Sequence, residues 1–435
     1  MDRKMRTSRE QETINRIRTL YEQIIALGTD ECGCTHNLTK ELMGFQKADG
    51  SFCVTAERPL DSDTRVGYYY EPTYYGAAAL IHVMVIDCSK PDSAVEEALT
   101  RSLSVSMQRR LAGHGYDATR QRLDALKIFK DAGLYEWMSR LDDSSNNIFR
   151  DFCEMIQGIV SGFREAVLNG KTWSDWNVDF RESFEKEIED YEESLVPYVW
   201  YASYGSNINS KRFQEYMQRC GGTDVTESRP YTAHGALYFA ADSGKWGRGK
   251  GVAFYDETAP DCTMMRIYKI RRSQFREVQR MEGQKYSRKL MIGIVDNVTV
   301  YTFTAPEIRT DLNTPSLKYV QTILEGLKET YPGISETVLL AYLFSHDAIS
   351  DDARRVLTYI RKAPHAVTIR EIKDSSTCPG ITRTKEAIRF LVGMELIRQD
   401  TRSRRAGHSA TDAEAMYFTG PEKRDIVDMV VLGLI

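Results

Sequence analysis

Hydrophobic positions in the first half of the chain recur at the spacing of α-helices. Ile17, Leu20 and Ile24 follow one another at intervals of three and four residues, which predicts an amphipathic helix over residues 8–30. Helix-forming composition continues in further runs at residues 68–86, 95–111, 119–131, 147–168 and 180–193. The pattern therefore predicts an all-α domain over residues 1–194.

Two of these predicted helices have an unusual composition. Residues 68–86 contain clustered tyrosines, whose flat apolar rings and polar hydroxyls suit the lining of a substrate or partner groove. Their helical spacing favours the alternative, which is packing in the core. Residues 180–193 are strongly acidic, which predicts a solvated helix that leads into the next domain. This half offers no nucleophile with a base beside it, and its function is not readable from its residues.

From residue 198 the pattern changes to that of short strands. The apolar run at residues 199–202 predicts a buried strand. Alternating, β-branched and aromatic runs predict further strands at residues 231–240, 251–255, 263–270, 290–295 and 298–303. Many short strands with a few helices predict an α+β domain around a small, largely antiparallel barrel, over residues 197–345.

Two helices are predicted among these strands by their end signals. The helix at residues 272–281 is followed by Gly283, a residue suited to the backbone turn that ends a helix. The second helix follows Pro306 and begins at a cap formed by Ser316 or Thr314.

Length, charge and hydropathy restrict the class of protein. A chain of 435 residues is long enough for two to four domains. The net charge of −4 argues against nucleic-acid binding by the whole chain, although a single module could still bind it. No apolar run reaches the ~20 residues that cross a bilayer, and the first residues lack the apolar core of a secretory signal. We expect no membrane association and a cytoplasmic location.

The eight cysteines follow no repeating frame and are expected to be reduced thiols. Cys32, Cys34 and His36 form one metal-like cluster. A Cys-x-Cys-x-His run without a second pair nearby is poor zinc spacing, so a turn rich in Cys and Gly is favoured there and no metal site is expected.

The change of period at residue 198 leads directly into a candidate binding loop. The buried strand breaks at Tyr204, Gly205, Ser206 and Asn207, and a helix is predicted to follow. A strand, a glycine-containing turn and a helix N-terminus can aim several backbone N–H groups at one anion. Gly-Ser-Asn is also ordinary turn chemistry, so a plain connector and a binding loop both remain open on these residues alone.

Five features in a fixed order resemble the gamma-glutamylcyclotransferase-like family. They are the YGSN turn, the strand GALYF at 235–239, the strand GVAFY at 251–255, a helix that ends in Glu282 before glycine, and the late helix TPSLKYVQTILEGLKE. They span roughly 145 residues, and Ser206 and Glu282 lie 76 residues apart, which also suits the family. One such motif is weak evidence, whereas the ordered set is specific.

The resemblance implies an activity and assigns residues to it. In this family the turn, here Tyr204 to Asn207, holds the glutamyl part of a γ-glutamyl substrate. The single glutamate, here Glu282, moves protons while the α-amine of the substrate attacks its own γ-carbonyl. The products are 5-oxoproline and a free amine, and no metal or cofactor is required.

Glu282 and the basic loop at residues 246–251 can each be interpreted in two ways. A carboxylate at a helix C-terminus faces the negative end of the helix dipole, which raises its pKa toward the range of a proton shuttle. On pattern alone, however, Glu282 would be a solvated residue at a helix end. The basic, glycine-rich loop at residues 246–251 holds Arg248 and Lys250, which either attract an acidic substrate or are simply solvated.

The last part of the chain, residues 348–435, resembles a winged helix. Predicted helices at 351–361, 369–374 and 382–394 are followed by a strand at 396–400, a basic segment and a return strand at 415–418. Residues 351–405 hold 13 Lys and Arg against 7 Asp and Glu. The candidate nucleic-acid contacts are Arg383, Lys385 and Arg389 on the predicted recognition helix and Arg402, Arg404 and Arg405 in the predicted wing.

Phosphates of DNA or RNA suit this arrangement. Winged helices also dock proteins, and charge runs are often only solvated faces.

The sequence predicts a multidomain α+β protein: an N-terminal all-α domain, a central small mixed β-barrel of gamma-glutamylcyclotransferase-like type, and a C-terminal winged helix. The leading hypothesis is a cyclotransferase-type enzyme with a small γ-glutamyl substrate. The alternative is a non-catalytic, ligand-sensing or regulatory protein whose winged helix binds DNA or a protein partner.

Overall fold

The computed structural model describes residues 8–27, 32–52, 70–86, 92–108, 115–170, 179–219, 222, 225, 227–375, 380–400, 416–419 and 423–434. The chain divides into two compact units, Met1–Pro197 and Tyr198–Ile435. None of the helices within the described ranges is long and apolar enough to cross a membrane. The further boundary predicted between residues 345 and 348 stays a prediction.

Helices make up the described part of the first unit. In chain order they are α1 (Ser8–Ile25), α2 (Cys32–Met43), α3 (Glu71–Ile86), α4 (Ser93–Gln108), α5 (Gly115–Asp131), α6 (Leu134–Ser139), α7 (Asn147–Leu168) and α8 (Arg181–Leu195). Helix α3 is apolar on all sides and packs against α1, α4 and α5, which is the position expected of such a helix. Tyr70 and Tyr74 are buried, so the described part of the tyrosine cluster packs in the core.

Helix α2 corrects one prediction from the sequence. Cys32 and Cys34 lie in its first turn, so the chain is helical where we expected a turn. Thr35, Thr39 and Leu42 recur at helical spacing and are buried, which gives this short segment an inward face that composition alone concealed. The side chains of the two cysteines lie outside what the structure describes.

Helix α8 corrects a second prediction, because one face of this acidic helix is buried. Phe184, Ile188 and Glu192 point into the unit, and Glu192 is fully buried. Its carboxylate accepts a hydrogen bond of 2.8 Å from the guanidinium of Arg164 on α7, which is 1% exposed. A buried carboxylate is tolerated only with such a partner. The acidic composition therefore supplies one internal ion pair as well as a solvated face.

The second unit combines small sheets with helices. Its strands are β1 (Tyr198–Ser203), β2 (Glu227–His234), β3 (Ala236–Ala240), β4 (Val252–Asp256), β5 (Cys262–Arg271), β6 (Arg288–Val295), β7 (Val298–Thr304), β8 (Val367–Thr368), β9 (Ile397–Asp400) and β10 (Met416–Thr419). Its helices are α9 (Ser210–Arg219), α10 (Arg272–Glu282), α11 (Leu317–Thr330), α12 (Glu336–Ser345), α13 (Asp351–Lys362), α14 (Ile369–Asp374), α15 (Ile381–Gly393) and α16 (Arg424–Val431).

The main sheet has the strand order β2-β5-β1-β7-β6 and is mixed. Strand β1 is antiparallel to β5 and parallel to β7, with Trp200 opposite Lys269 on one side and Val300 on the other. Strands β3 and β4 form a separate two-stranded sheet. The strand predicted over residues 231–240 is in fact two strands, because Gly235 breaks it at a φ of 126° that favours glycine.

The last part of the second unit has helices around a small antiparallel sheet of order β8-β10-β9. Helix α13 packs against α15 and α16. The buried core is continuous from Trp200 in β1 to Val430 in α16. The order of these elements agrees with the predicted helices and strands, while their assignment to a winged helix stays a prediction.

Candidate active site

The turn after β1 is held in place from several sides. The hydroxyl of Tyr204 donates to the carbonyl of Phe303 at 2.7 Å, and the hydroxyl of Tyr268 donates to the carbonyl of Asn207 at 2.9 Å. A Cβ added to Gly205 would lie 3.0 Å from the hydroxyl oxygen of Tyr319. The absence of a side chain thus lets the backbone of the turn approach α11 closely. A short 3₁₀ turn, Ser206–Ile208, then leads into α9.

Glu282 reaches this turn from the end of α10. Gly283, with a φ of 69°, ends the helix immediately after it. The side-chain Nδ2 of Asn207 donates to Oε1 of Glu282 at 2.9 Å. Asn207 and Glu282, which belong to sequence motifs 75 positions apart, are therefore in direct contact.

The surroundings of Glu282 favour its protonated form. Burial raises the pKa of its carboxyl to about 7, and it outweighs the opposing effects of the Arg212 and Lys245 charges and of hydrogen bonds from Tyr216 and Asn207. A carboxyl with a pKa near neutrality can both accept and release a proton at physiological pH. This is the electrostatic property required of one residue that acts first as a base and then as an acid.

A cavity of about 220 Å³ opens beside this carboxyl. All five residues predicted for the site, Tyr204, Gly205, Ser206, Asn207 and Glu282, line it. The other lining residues are Tyr201, Ser203, Arg212, Tyr216, Ser243, Lys245, Trp246, Val252, Ala253, Met281, Lys285, Tyr286, Phe303 and Tyr319. The structure thus brings the complete predicted set to one concave surface.

Tyrosines form much of the cavity wall, and their hydroxyls are tied to the backbone. Tyr286 donates to the carbonyl of Ala253 at 2.8 Å, and the hydroxyl oxygen of Tyr319 accepts from the N–H of Ala253 at 3.1 Å. Burial raises the pKa of both hydroxyls. Because these hydroxyls stay neutral and are hydrogen-bonded to the backbone, the tyrosines present uncharged, oriented rings to the cavity.

Positive charge faces the cavity from α9 and from the loop at residues 241–251, here named the cavity loop. Nε of Arg212 donates to Oγ of Ser206 at 3.0 Å, and its guanidinium lies 4.8 Å from the ring centre of Trp246. The pKa of Lys245 is lowered by burial and then by the charges of Arg212 and Arg219. Within the described ranges, neither Arg212 nor Lys245 forms an ion pair with a carboxylate.

Sequence reasoning missed Arg212, Lys245 and Tyr216. Arg212 and Tyr216 follow the YGSN turn within the next helix, at a spacing of four residues that places both on one face. This spacing could have identified both residues as candidates from the sequence. Lys245 had no such signal, because only the folded cavity loop places it near Glu282.

The two basic residues of the cavity loop that the sequence selected do not line the cavity. Arg248 is exposed, and Nζ of Lys250 lies 3.7 Å from Oε2 of Glu386 on α15. Lys250 therefore contacts the last part of the unit, and Trp246 is the member of this loop that packs against the cavity residue Tyr319.

The candidate nucleic-acid contacts differ in their availability. Nε of Arg383 is 2.6 Å from Oδ2 of Asp352 on α13, so this guanidinium already has a carboxylate partner. Lys385 and Arg389 are exposed on α15. The three wing arginines, Arg402, Arg404 and Arg405, lie outside the described residues. Where the chain is described, no group of three His, Cys, Asp or Glu side chains is arranged to hold a metal ion.

Comparisons with known proteins find only weak structural likeness. No family model matches the sequence, and no curated protein matches it significantly. Similar solved structures include an uncharacterized human protein, loc79017, at 19% identity, 35% coverage of this chain, 89% of the other and a TM-score of 0.27. A gamma-glutamyl cyclotransferase is similar at 18% identity, with 41% and 97% coverage and a TM-score of 0.27. Scores this low support no functional argument.

Proposed function

We propose that the second unit is a cyclotransferase-type enzyme that releases 5-oxoproline and a free amine from a γ-glutamyl amine or peptide. One observation carries the proposal. A carboxyl with a pKa of about 7, Glu282, is hydrogen-bonded by Asn207 of the YGSN turn and lies on the wall of a cavity that the turn also lines. The barrel of gamma-glutamylcyclotransferase-like type is part of this proposal.

The chemistry needs one proton shuttle. The α-amine of the substrate attacks its own γ-carbonyl carbon and forms the new C–N bond of a five-membered ring. Glu282 in its ionised form takes the proton that this amine loses. It then gives the proton to the leaving nitrogen as the original amide C–N bond breaks. Nucleophile and electrophile belong to one molecule, so correct orientation supplies most of the rate enhancement.

The lining of the cavity suits these steps. In this proposal the backbone N–H groups of the turn, near the positive N-terminus of α9, hold the glutamyl part of the substrate. Arg212 and Lys245 supply positive charge for a substrate carboxylate. The tyrosine rings of the wall, among them Tyr319, limit the orientations that a bound substrate adopts.

The test is 5-oxoproline release from a panel of γ-glutamyl amino acids, amines and peptides. Glu282→Gln keeps the size of the side chain but removes the base, and we expect a loss of about 100-fold or more in kcat. Glu277→Gln, on the same helix and outside the cavity, is the matched control and should retain native turnover. Equal turnover by native protein and Glu282→Gln would refute the assignment of Glu282.

A second function is favoured by the exposed residues of α15. We infer that the last part of the second unit is a winged helix that binds nucleic acid through Lys385 and Arg389, which are exposed and have no carboxylate partner among the described side chains. In the enzyme hypothesis this module would bind nucleic acid independently of the cavity. In the non-catalytic, ligand-sensing alternative it would be the part of the protein that binds the target.

The charge hypothesis predicts a salt-dependent affinity. Each lost phosphate contact should lower the slope of log affinity against log salt by about one. The double variant Lys385→Gln with Arg389→Gln should therefore bind duplex DNA more weakly and with a shallower slope in fluorescence anisotropy. Lys318→Gln, an exposed lysine on α11, is the control. Identical binding by native and double-variant protein would exclude this face.

A further inference from the structure

Two elements that line the cavity also contact one helix in the last part of the unit. The cavity loop contributes Ser243, Lys245 and Trp246 to the lining, and α11 contributes Tyr319. Both elements touch α15, which itself lines no part of the cavity. Through these two elements, a change in the position of α15 can reach the cavity.

The first contact fixes the end of α15 to α11. Nε2 of Gln321 donates to the carbonyl of Gly393 at 2.9 Å. A Cβ on Gly393 would lie 2.3 Å from Cδ2 of Leu317, so the two helices approach as closely as glycine allows. Since Tyr319 lies between these two residues of α11, the anchored segment is the one that faces the cavity.

The second contact joins α15 to the cavity loop. Nζ of Lys250 lies 3.7 Å from Oε2 of Glu386, which is seven residues before Gly393 and therefore on the same face of the helix. The side chains are 36% and 55% exposed, so the ion pair is weak and can break and reform.

Hydrogen bonds within the cavity loop link its first residues to its last ones. The carboxylate of Asp242 accepts from the N–H groups of Gly244 and Gly249 at 3.0 and 2.9 Å. The N–H of Ser243 donates to the carbonyl of Lys250 at 3.0 Å. The N–H of Trp246 donates to Oγ of Ser243 at 2.8 Å, so Lys250 and Trp246 are both hydrogen-bonded to the same residue of the loop.

We propose that Glu386 is a positioning residue for the candidate active site. Through Lys250 it holds the cavity loop over the cavity, so that the last part of the unit regulates how well the cavity retains its ligand. The effect on catalysis rests on the proposed function, while the contact of α15 with the loop does not. Anything that binds or displaces α15 would change the affinity of the cavity.

The first test needs no ligand. Amide hydrogen exchange, measured by mass spectrometry on the full chain, should be about two- to fivefold faster in residues 241–251 of Glu386→Gln and of Lys250→Met than in native protein, as expected for a weak ion pair. The charge swap Lys250→Glu with Glu386→Lys should restore native exchange. Asp425→Asn, an exposed acidic residue on α16, is the control and should change nothing.

The second test separates positioning from a merely structural role. In 5-oxoproline release, Glu386→Gln should raise KM about two- to fivefold and leave kcat unchanged, and the charge swap should restore KM. Native exchange rates in both single variants would overturn the proposal. Faster exchange with an unchanged KM would overturn its regulatory part. If native protein releases no 5-oxoproline, the proposed function fails, and the exchange measurement still decides whether α15 holds the loop.

Discussion

Asn207 shows how one turn can serve two purposes. From its motif we expected Asn207 to be part of the turn that holds the substrate, and its side-chain Nδ2 donates to the carboxylate of Glu282. Its carbonyl is held by Tyr268. The side chain of Asn207 therefore holds the carboxyl of Glu282, and in the proposed function the backbone of the same turn binds the substrate.

Tyr216 sets the pKa of Glu282 from the other side. Its hydroxyl is hydrogen-bonded to the carboxylate, which lowers the pKa of Glu282 against the larger effect of burial. In Tyr216→Phe this bond is lost, so the pKa of Glu282 rises further above its ordinary value. We expect the acid limb of the pH–rate profile to move by about half a unit to one unit toward higher pH.

Tyr286→Phe is the matched control for this measurement. Tyr286 lines the same cavity, but its hydroxyl donates to the carbonyl of Ala253 rather than to Glu282. Its removal should leave the acid limb in place. An acid limb that stays at the native pH in Tyr216→Phe would show that the tyrosine does not interact with the ionised carboxylate.

The raised pKa of Glu282 also has a consequence for stability. Between pH 4.5, its ordinary pKa, and about 7, the folded chain binds more protons than the unfolded chain, so the free energy of unfolding falls as pH rises. Because Gln does not titrate, Glu282→Gln does not undergo this fall in the free energy of unfolding. The variant should gain about 2 kcal/mol relative to native protein between about pH 4.5 and pH 8, allowing for solvent in the cavity.

Denaturant unfolding at several pH values measures this difference without any substrate. The comparison of native protein with Glu282→Gln cancels the titration of all other groups, provided that both unfold in the same manner. A difference that does not change with pH would mean that the carboxyl titrates near its ordinary pKa, and the case for a proton shuttle would be lost.

The sequence predicted one part of the site and not the other, for a physical reason. Glu282 and the YGSN turn stand in ordered local motifs, and a motif can be recognised from the chain alone. Lys245 acts on Glu282 through its charge, because the folded cavity loop places it near that carboxyl. Such neighbours follow from tertiary packing, which one sequence does not contain in readable form.

Among the elements, two helices were predicted to within one residue of their observed ends. Helix α7 has the predicted bounds, and α10 ends before Gly283 as expected. Strand boundaries were less certain, because Gly235 interrupts an otherwise continuous alternation. There a Cβ would lie 2.6 Å from the carbonyl oxygen of Asp256. Whether an internal glycine breaks a strand depends on such a close approach, which the sequence does not show.

Close packing of α11 on the turn gives a prediction for Gly326. A Cβ at this position would lie 2.5 Å from the backbone N of Asn209 and 2.6 Å from atoms of Ile208, immediately after the YGSN turn. Gly326→Ala should push the helix and the turn apart, lower the free energy of unfolding by about 2 kcal/mol and weaken activity. Urea unfolding and kcat/KM measure the two effects.

Gly162→Ala provides the control. Gly162 lies inside α7, and no atom lies within 4 Å of the added Cβ. The same substitution should there stabilise the protein by about 0.5–1 kcal/mol through helix propensity. If Gly326→Ala also stabilises the protein, the close approach of α11 to the turn does not exist in solution.

At the scale of the whole molecule, the change of hydrophobic period at residue 198 coincides with the division between Met1–Pro197 and Tyr198–Ile435. The sequence contains this information because a helical period and a strand period differ over tens of residues. The predicted boundary at residues 345–348 is of another kind. It separates two types of local pattern, whereas the buried side chains on its two sides, including Phe344 and Val356, belong to one core.

Because these residues share one core, we expect the second unit to unfold as one cooperative body. Separating α12 from α13 would expose the fully buried Leu343, Phe344, Val356 and Leu357 to water, at a cost of about 1.5–3 kcal/mol for each side chain. We therefore expect amides in β5 and α13 to reach the same free energy of opening as urea is raised in native-state hydrogen exchange. Amides in α7 of the first unit serve as an independent reference. If α13 opens at a clearly lower free energy than β5, the last part of the chain is a separate domain, and Glu386 would then act on the cavity loop across a domain boundary rather than within one core.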